Sequence, residues 1–257
     1  MIRGLYTSAL SMTTQMNKMD TIANNMANVD TTGYKKDTAV TSAFSELMMK
    51  RVNDPEYTFL NIPKDIGGVT LGVFVQHIGT DFQNGALKRT DGDLDFGLSG
   101  EGFFAVNYVN GDGELEESYT RDGSFTLSGD GALLTKDGYG VLGENGPIIN
   151  LNGIVTVDET GNIYADGAFV DRLKLVDFEN KNTLMKIENN LYLPKEGSEQ
   201  QEATASIVQG FLESSNVNPV NEMVDMISTS RLYEANQKVI TIHDQTLGRA
   251  VNDIARK

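Results

Sequence analysis

The chain has no cysteine and no tryptophan, five prolines and two histidines in 257 residues, and no apolar run long enough to span a bilayer. Without cysteine there is no disulfide, no thiolate metal site and no cysteine nucleophile, so the fold is indifferent to redox compartment. A basic stripe is also missing. Lys35-Lys36 and Lys50-Arg51 are isolated pairs in a chain of net charge −15, which excludes a nucleic-acid surface, because phosphate binding needs concentrated positive charge. An acidic balance favours solubility and leaves a face that a basic partner could meet. The opening "MIRGLYTSALSMTTQMNKMD" has neither the continuous apolar run nor the preceding basic cluster of a cleavable signal peptide, so conventional secretion is not expected.

Chemistry is equally sparse. His77 and His243 fit no metal-ligand spacing and pair with no nucleophile. "GYGVLG" at 138–143 spells a G-x-G-x-x-G, but a turn follows it within one residue where a dinucleotide site needs a helix, so it reads as a hairpin. "DGDLDFG" places Phe96 where a calcium loop requires glycine, and "NGDGELEE" places Leu115 there. No catalytic residue, cofactor, metal or small-molecule substrate is expected.

What the chain does have is periodicity at both ends. Ile2, Leu5, Ala9, Met12, Met16, Met19, Ala23 and Met26 recur at alternating spacings of three and four, a heptad stripe of soft Met and Ala residues. From about 219 to 256, Leu232, Ala235, Val239 and Ile242 form a second stripe, continued by Leu247, Val251 and Ile254 on a displaced face, with Pro219 suited to the first helical turn. Between the helices, from Gly68 to about Leu212, short apolar runs alternate with turn dipeptides such as Asn84-Gly85, Asp137-Gly138 and Asp166-Gly167. These supply the positive φ of tight hairpins, and the texture is that of an all-β body. "SAFSELMMKRV" could extend a helix, and "NDPEYTFLNIPKDIGG" reads as an irregular connector. The expected fold is α+β: residues 1–36 as N-terminal helix and motif, 37–67 as connector, 68–212 as a mostly-β body, and 213–257 as C-terminal helix. The two helices would pack as a coiled-coil-like layer on assembly.

The first helix ends oddly, in "ANNMANVDTTGYKK". Asn28 through Gly33 would stop it, with Gly33 at positive φ. Asn24 and Asn25 lie a turn earlier, where their amides could bond across to neighbouring helices and fix register.

"LYTSALSMTTQMNKMDTIANNMANVDTTGYKK" closely resembles the N-terminal signature of flagellar rod and hook proteins, with Met26 where Leu or Ile is usual. "LDFGLSGEGFFAV" and "YTRDGSFTLSGDGALLTKDGYGVLG" are similar to the β body of rod members, and "GFLESSNVNPVNEMVDMISTSRLYEANQKVITIHDQ" to their C-terminal helix. Within the family, the length and "KVITIHDQTLGRA" resemble the proximal rod type, slightly ahead of the distal type, which "QGFLESSNVN" and "RLYEANQK" also suit. The resemblance implies a non-enzymatic subunit, exported through the flagellar type III apparatus and polymerised with itself and with other rod and hook subunits into a helical tube. That tube would lie in the basal body outside the cytoplasmic membrane. The subunit-assembly residues would be Leu5, Met12, Met16, Met19, Asn24, Asn25, Asn28, Thr32, Gly33, Tyr34 and Lys35, with Met223, Ile227, Leu232, Val239 and Ile242. Two alternatives remain open at this point: a carbohydrate-active β enzyme, tested by replacing acidic residues, and a calcium-dependent adhesin, tested by calcium-linked thermal stabilisation.

Overall fold

A computed structural model describes residues 2–51, 64–111, 113–195 and 197–255. The two expected helices are present, α1 at Ile2–Ala27 and α2 at Pro219–Ala255. α1 stops where its sequence turns to Asn, Asp, Thr and Gly. The Thr31 amide donates to the Asn28 carbonyl, the Thr31 hydroxyl to Asn28 Oδ1, and Gly33 takes φ +66°. α2 starts at Pro219, whose fixed φ suits a first turn and whose missing N–H would have no helical partner there.

The chain folds as two compact units, one of residues 1–26, 37–79 and 219–257, the other of residues 27–36 and 80–218. In the first unit, α1 and α2 run antiparallel. Asn25 reaches Glu222 at one end, and at the other the position a Cβ on Gly4 would take lies 3.0 Å from His243 Nε2. The members of each pair are 21 residues apart along their own helices, so one register holds from end to end.

The same unit corrects the expected connector. Asp37–Ala43 is a strand paired with Val73–Thr80, and Leu47–Arg51 pairs antiparallel with Lys64–Val69. The first ribbon is written in β-branched residues at Thr38, Val40 and Thr41. The second overrides its local preference. Glu46 to Lys50 are good helix formers, yet cross-strand pairing fixes four of them, Leu47 to Lys50, as strand. The connector residues 52–63 lie outside the described residues.

The second unit is the β body. Its main antiparallel sheet runs, in spatial order, Leu184–Lys186, Leu191–Pro194, Leu115–Thr120, Phe103–Val109, Gly140–Gly143, Leu133–Thr135 and Phe125–Leu127. Phe103–Val109 is buried on both faces, which is why it reads as the continuous run "FFAV". Phe104 and Val106 join a cluster with Phe96, Phe125, Leu133 and Ile163. Phe103 and Ala105 join another with Tyr119, Val176, Phe178 and Tyr192. A three-stranded meander, Val155–Val157, Asn162–Ala165 and Ala168–Arg172, turns at Asp166-Gly167, where both residues have positive φ as the dipeptide predicts. "GYGVLG" is indeed a hairpin, with Gly140–Gly143 as a strand. Two ribbons close the unit, Phe96–Ser99 with Ser206–Gln209 and Leu87–Arg89 with Phe211–Glu213.

Candidate assembly site

The asparagine at the centre of the odd helix end is buried. In the helix unit, Asn25 Oδ1 accepts from the Asp37 amide at 2.9 Å, and its Nδ2 donates to the Asp37 carbonyl at 2.8 Å. One primary amide thereby satisfies both backbone groups of one residue, as a neighbouring strand would. Nδ2 also lies 3.3 Å from Glu222 Oε2 of α2. Inside the chain the Asn25 amide thus reaches the neighbouring helix, with its donor and acceptor both engaged there. Asn24 is exposed and Asn28 half-buried.

The second half of the motif belongs to the β body. Thr32 Oγ1 donates to Asp122 Oδ1 at 2.6 Å, and the Gly33 amide donates to the Glu213 carbonyl at 2.8 Å. A Cβ on Gly33 would stand 2.5 Å from the Arg121 carbonyl carbon and the Asp122 nitrogen, so neither its φ nor its surroundings admit a side chain. Tyr34 is buried, with Lys186 Nζ 3.8 Å from its ring centroid. The Lys35 ammonium donates to Glu213 Oε1 at 2.7 Å and to the Gln83 carbonyl at 2.8 Å. The other Glu213 oxygen lies 2.9 Å from Arg121 Nε, and the remaining Arg121 nitrogens reach the carbonyls of Gly100 and Gly102 and the Asn84 side chain. Lys35 and Glu213 are both 1% exposed at the side chain.

Two cations and one carboxylate thus share a dry site. Burial pushes Lys35 down from its ordinary value, opposed by the charge and hydrogen bond of Glu213, and the Arg121 guanidinium is lowered by the same cause. Thr32, Gly33, Tyr34 and Lys35 were expected as assembly residues. Within the chain they are held by the β body, with Tyr34 and Lys35 buried and Thr32 half-buried. The partners that hold them, Asp122, Arg121 and Glu213, were not singled out from sequence. The signal was there only in hindsight, as an acid ending the short strand of "FLESS" and a base just after the strand in "YTRDG".

Helix α2 presents the opposite pattern to an ordinary amphipathic helix. On α1 the buried residues are Ser8, Thr14, Thr21, Ile22 and Asn25, and on α2 they are Glu222 and Thr229. Half-buried Met226, Tyr233, Asn236, Ile240 and His243 extend the α2 seam at heptad spacing. The apolar stripe faces outward. Met223, Ile227, Leu232, Val239 and Ile242 are exposed, as are Val220, Val224, Leu247 and Val251, and Ile227 and Ile242 show 55% and 60% of their surface. On α1, Met16 is exposed, whereas Leu5, Met12 and Met19 are half-buried. No helix among the described residues is long and apolar enough to cross a membrane.

Comparison with known proteins covers the same segments. Residues 5–35 match the flagella basal body rod protein model, 97–165 the flagellar hook protein FlgE/F/G D1 domain, and 208–253 the flagellar basal body rod FlgEFG protein C-terminal model. The chain is 35% identical to the flagellar basal-body rod protein FlgG of Buchnera aphidicola subsp. Schizaphis graminum, over 96% of this chain and 98% of that one. It is 34% identical to FlgG of Borreliella burgdorferi, over 98% of each, and 34% identical to the rod protein FlgF of Caulobacter vibrioides, over 93% of each. Lys35 is the last residue of the first match and Glu213 lies in the third.

Proposed function

The chain belongs to the flagellar basal-body rod protein family, and from that premise we propose that this structural, non-enzymatic subunit polymerises through the outward faces of α1 and α2 into a helical tube. The observation that carries the reading is the burial pattern of α2, whose two buried residues are Glu222 and Thr229 and nine of whose large apolar side chains face out. A helix gains little by showing nine such residues to water, since each Å² of apolar surface removed from water is worth about 25 cal/mol. A heterologous contact that does not close on itself turns this burial into a filament. The same tube would join other rod and hook subunits in the basal body outside the cytoplasmic membrane, with the subunit delivered by the type III export apparatus. The family's structural role sets aside the carbohydrate-active and calcium-adhesin readings.

Electron microscopy of the purified chain over rising concentration tests this. Filaments with a threshold concentration are expected, and a protein that stays monomeric at every concentration would overturn assembly through these faces.

A further inference from the structure

The charge of the chain is divided unequally between its two units. The helix unit holds 10 Lys and Arg against 11 Asp and Glu, a net −1, while the β-body unit holds 11 against 25, a net −14, together the −15 of the whole chain. The unit that carries the outward apolar faces is therefore almost neutral, and nearly all the negative charge rides on the unit that carries none of them.

We infer that the acidic β body opposes its own copies, so that assembly is set by the balance between helix burial and body repulsion and depends on mobile cations. The inference rests on assembly through the helices. Helices that pack on one another lie about 8–10 Å apart. A unit of 149 residues has a radius of gyration of about 15 Å, much wider than that spacing. Copies brought together by their helices therefore bring their bodies near one another, within the range over which their charges act. At such separations two bodies of charge −14 repel across a Debye length of about 30 Å in ~0.01 M salt and about 8 Å in ~0.15 M salt. Exposed carboxylates such as Glu114, Glu179, Glu199 and Glu202 contribute to that field. The apolar helix faces, being nearly neutral as a unit, are not screened in the same way, so salt in this range acts on the opposing force alone.

The experiment measures the threshold concentration for polymer formation by sedimentation, in sodium chloride from about 20 to about 200 mM, for the wild-type chain and for the variant Glu114→Gln/Glu179→Gln/Glu199→Gln/Glu202→Gln. Circular dichroism confirms that both are folded. The wild-type threshold should fall about tenfold across the range, and the variant should start lower at low salt and change less. A threshold that is flat or rises with salt overturns the inference while leaving assembly intact. So does a variant whose salt response equals that of the wild type, because a salt effect on apolar burial alone would not notice four neutralised carboxylates. Absence of polymer at every salt concentration overturns the inference through the assembly reading on which it rests.

Discussion

Lys35 Nζ and Glu213 Oε1 stand 2.7 Å apart, although 178 residues of chain separate them. One follows α1 and the other precedes α2, so a single ion pair fastens the first and last segments of the β-body unit to each other. Its neighbours tighten the same junction. The Gly33 amide donates to the Glu213 carbonyl, the Asn216 amide to the Tyr34 carbonyl, and the Lys36 amide to Asn216 Oδ1 at 2.7 Å.

Removing one partner of this site should be costly, and unequally so. Glu213→Gln strands two buried cations against each other, whereas Lys35→Met leaves Glu213 its Arg121 partner. The expected loss is about 3–5 kcal/mol for Glu213→Gln and less for Lys35→Met, since an uncompensated buried charge dominates the cost. Urea denaturation of the monomer measures both, and equal losses under about 1 kcal/mol would remove the network from the account.

Asn25→Ala should destabilise the monomer. It withdraws a side chain that serves both backbone groups of Asp37, at a cost of about 1–3 kcal/mol for the hydrogen bonds lost at a part-buried site. The Asp37 amide should lose hydrogen-exchange protection in the same variant. An unchanged monomer that fails to polymerise would return Asn25 to a role between subunits.

Ile227→Asp and Leu232→Asp should do the reverse. Both positions are more than half exposed, so the monomer should unfold within about 0.5 kcal/mol of wild type. In a polymer seam the same carboxylate would be buried and unpaired, which costs several kcal/mol, so filaments should disappear. Normal filaments from either variant would exclude that face from the interface.

Alkaline pH should weaken the β body through Tyr119. Its phenol is fully buried, donates to Glu117 at 3.0 Å and accepts from Gln200 at 2.8 Å. Burial, and then the Glu117 charge, raise its pKa well above the ordinary value. The folded phenol therefore keeps its proton where the unfolded one loses it, so the stability this group contributes is intact below pH about 10 and falls by about 1.4 kcal/mol per pH unit above it. Tyr119→Phe should lower stability at pH 8 yet lose less between pH 10 and 11 than wild type. Parallel alkaline limbs in the two proteins would contradict the assignment.

Both helices were legible in the sequence because heptad spacing and end signals are local, and so were the hairpins written as Asp-Gly. Strands from 37 to 69 were not, since Glu46 to Lys50 favour helix by themselves and only a distant pairing makes four of them strand. The motif was visible as unusual, yet its job was not. An asparagine advertises its hydrogen bonds without naming the partner, and the residues that receive Lys35 lie in another part of the chain. Periodicity likewise located the stripe of α2 but could not say whether it faced inward. That depended on the polar seam opposite being the one its own chain covers.

The close pairing of Gly33 with Glu213 also bears on how such a subunit can change over time. The first and last segments of the β-body unit lie a hydrogen bond apart, and its uninterrupted stretch, residues 80–218, also begins beside where it ends, with Asn216 Nδ2 donating to the Asp81 carbonyl at 2.9 Å. Anything that presents two chain ends at that spacing can be grafted there, and the helices need not lengthen, shorten or change register to accept it. The β body is then free to diverge in size and charge, while the grammar of the two helices stays constant.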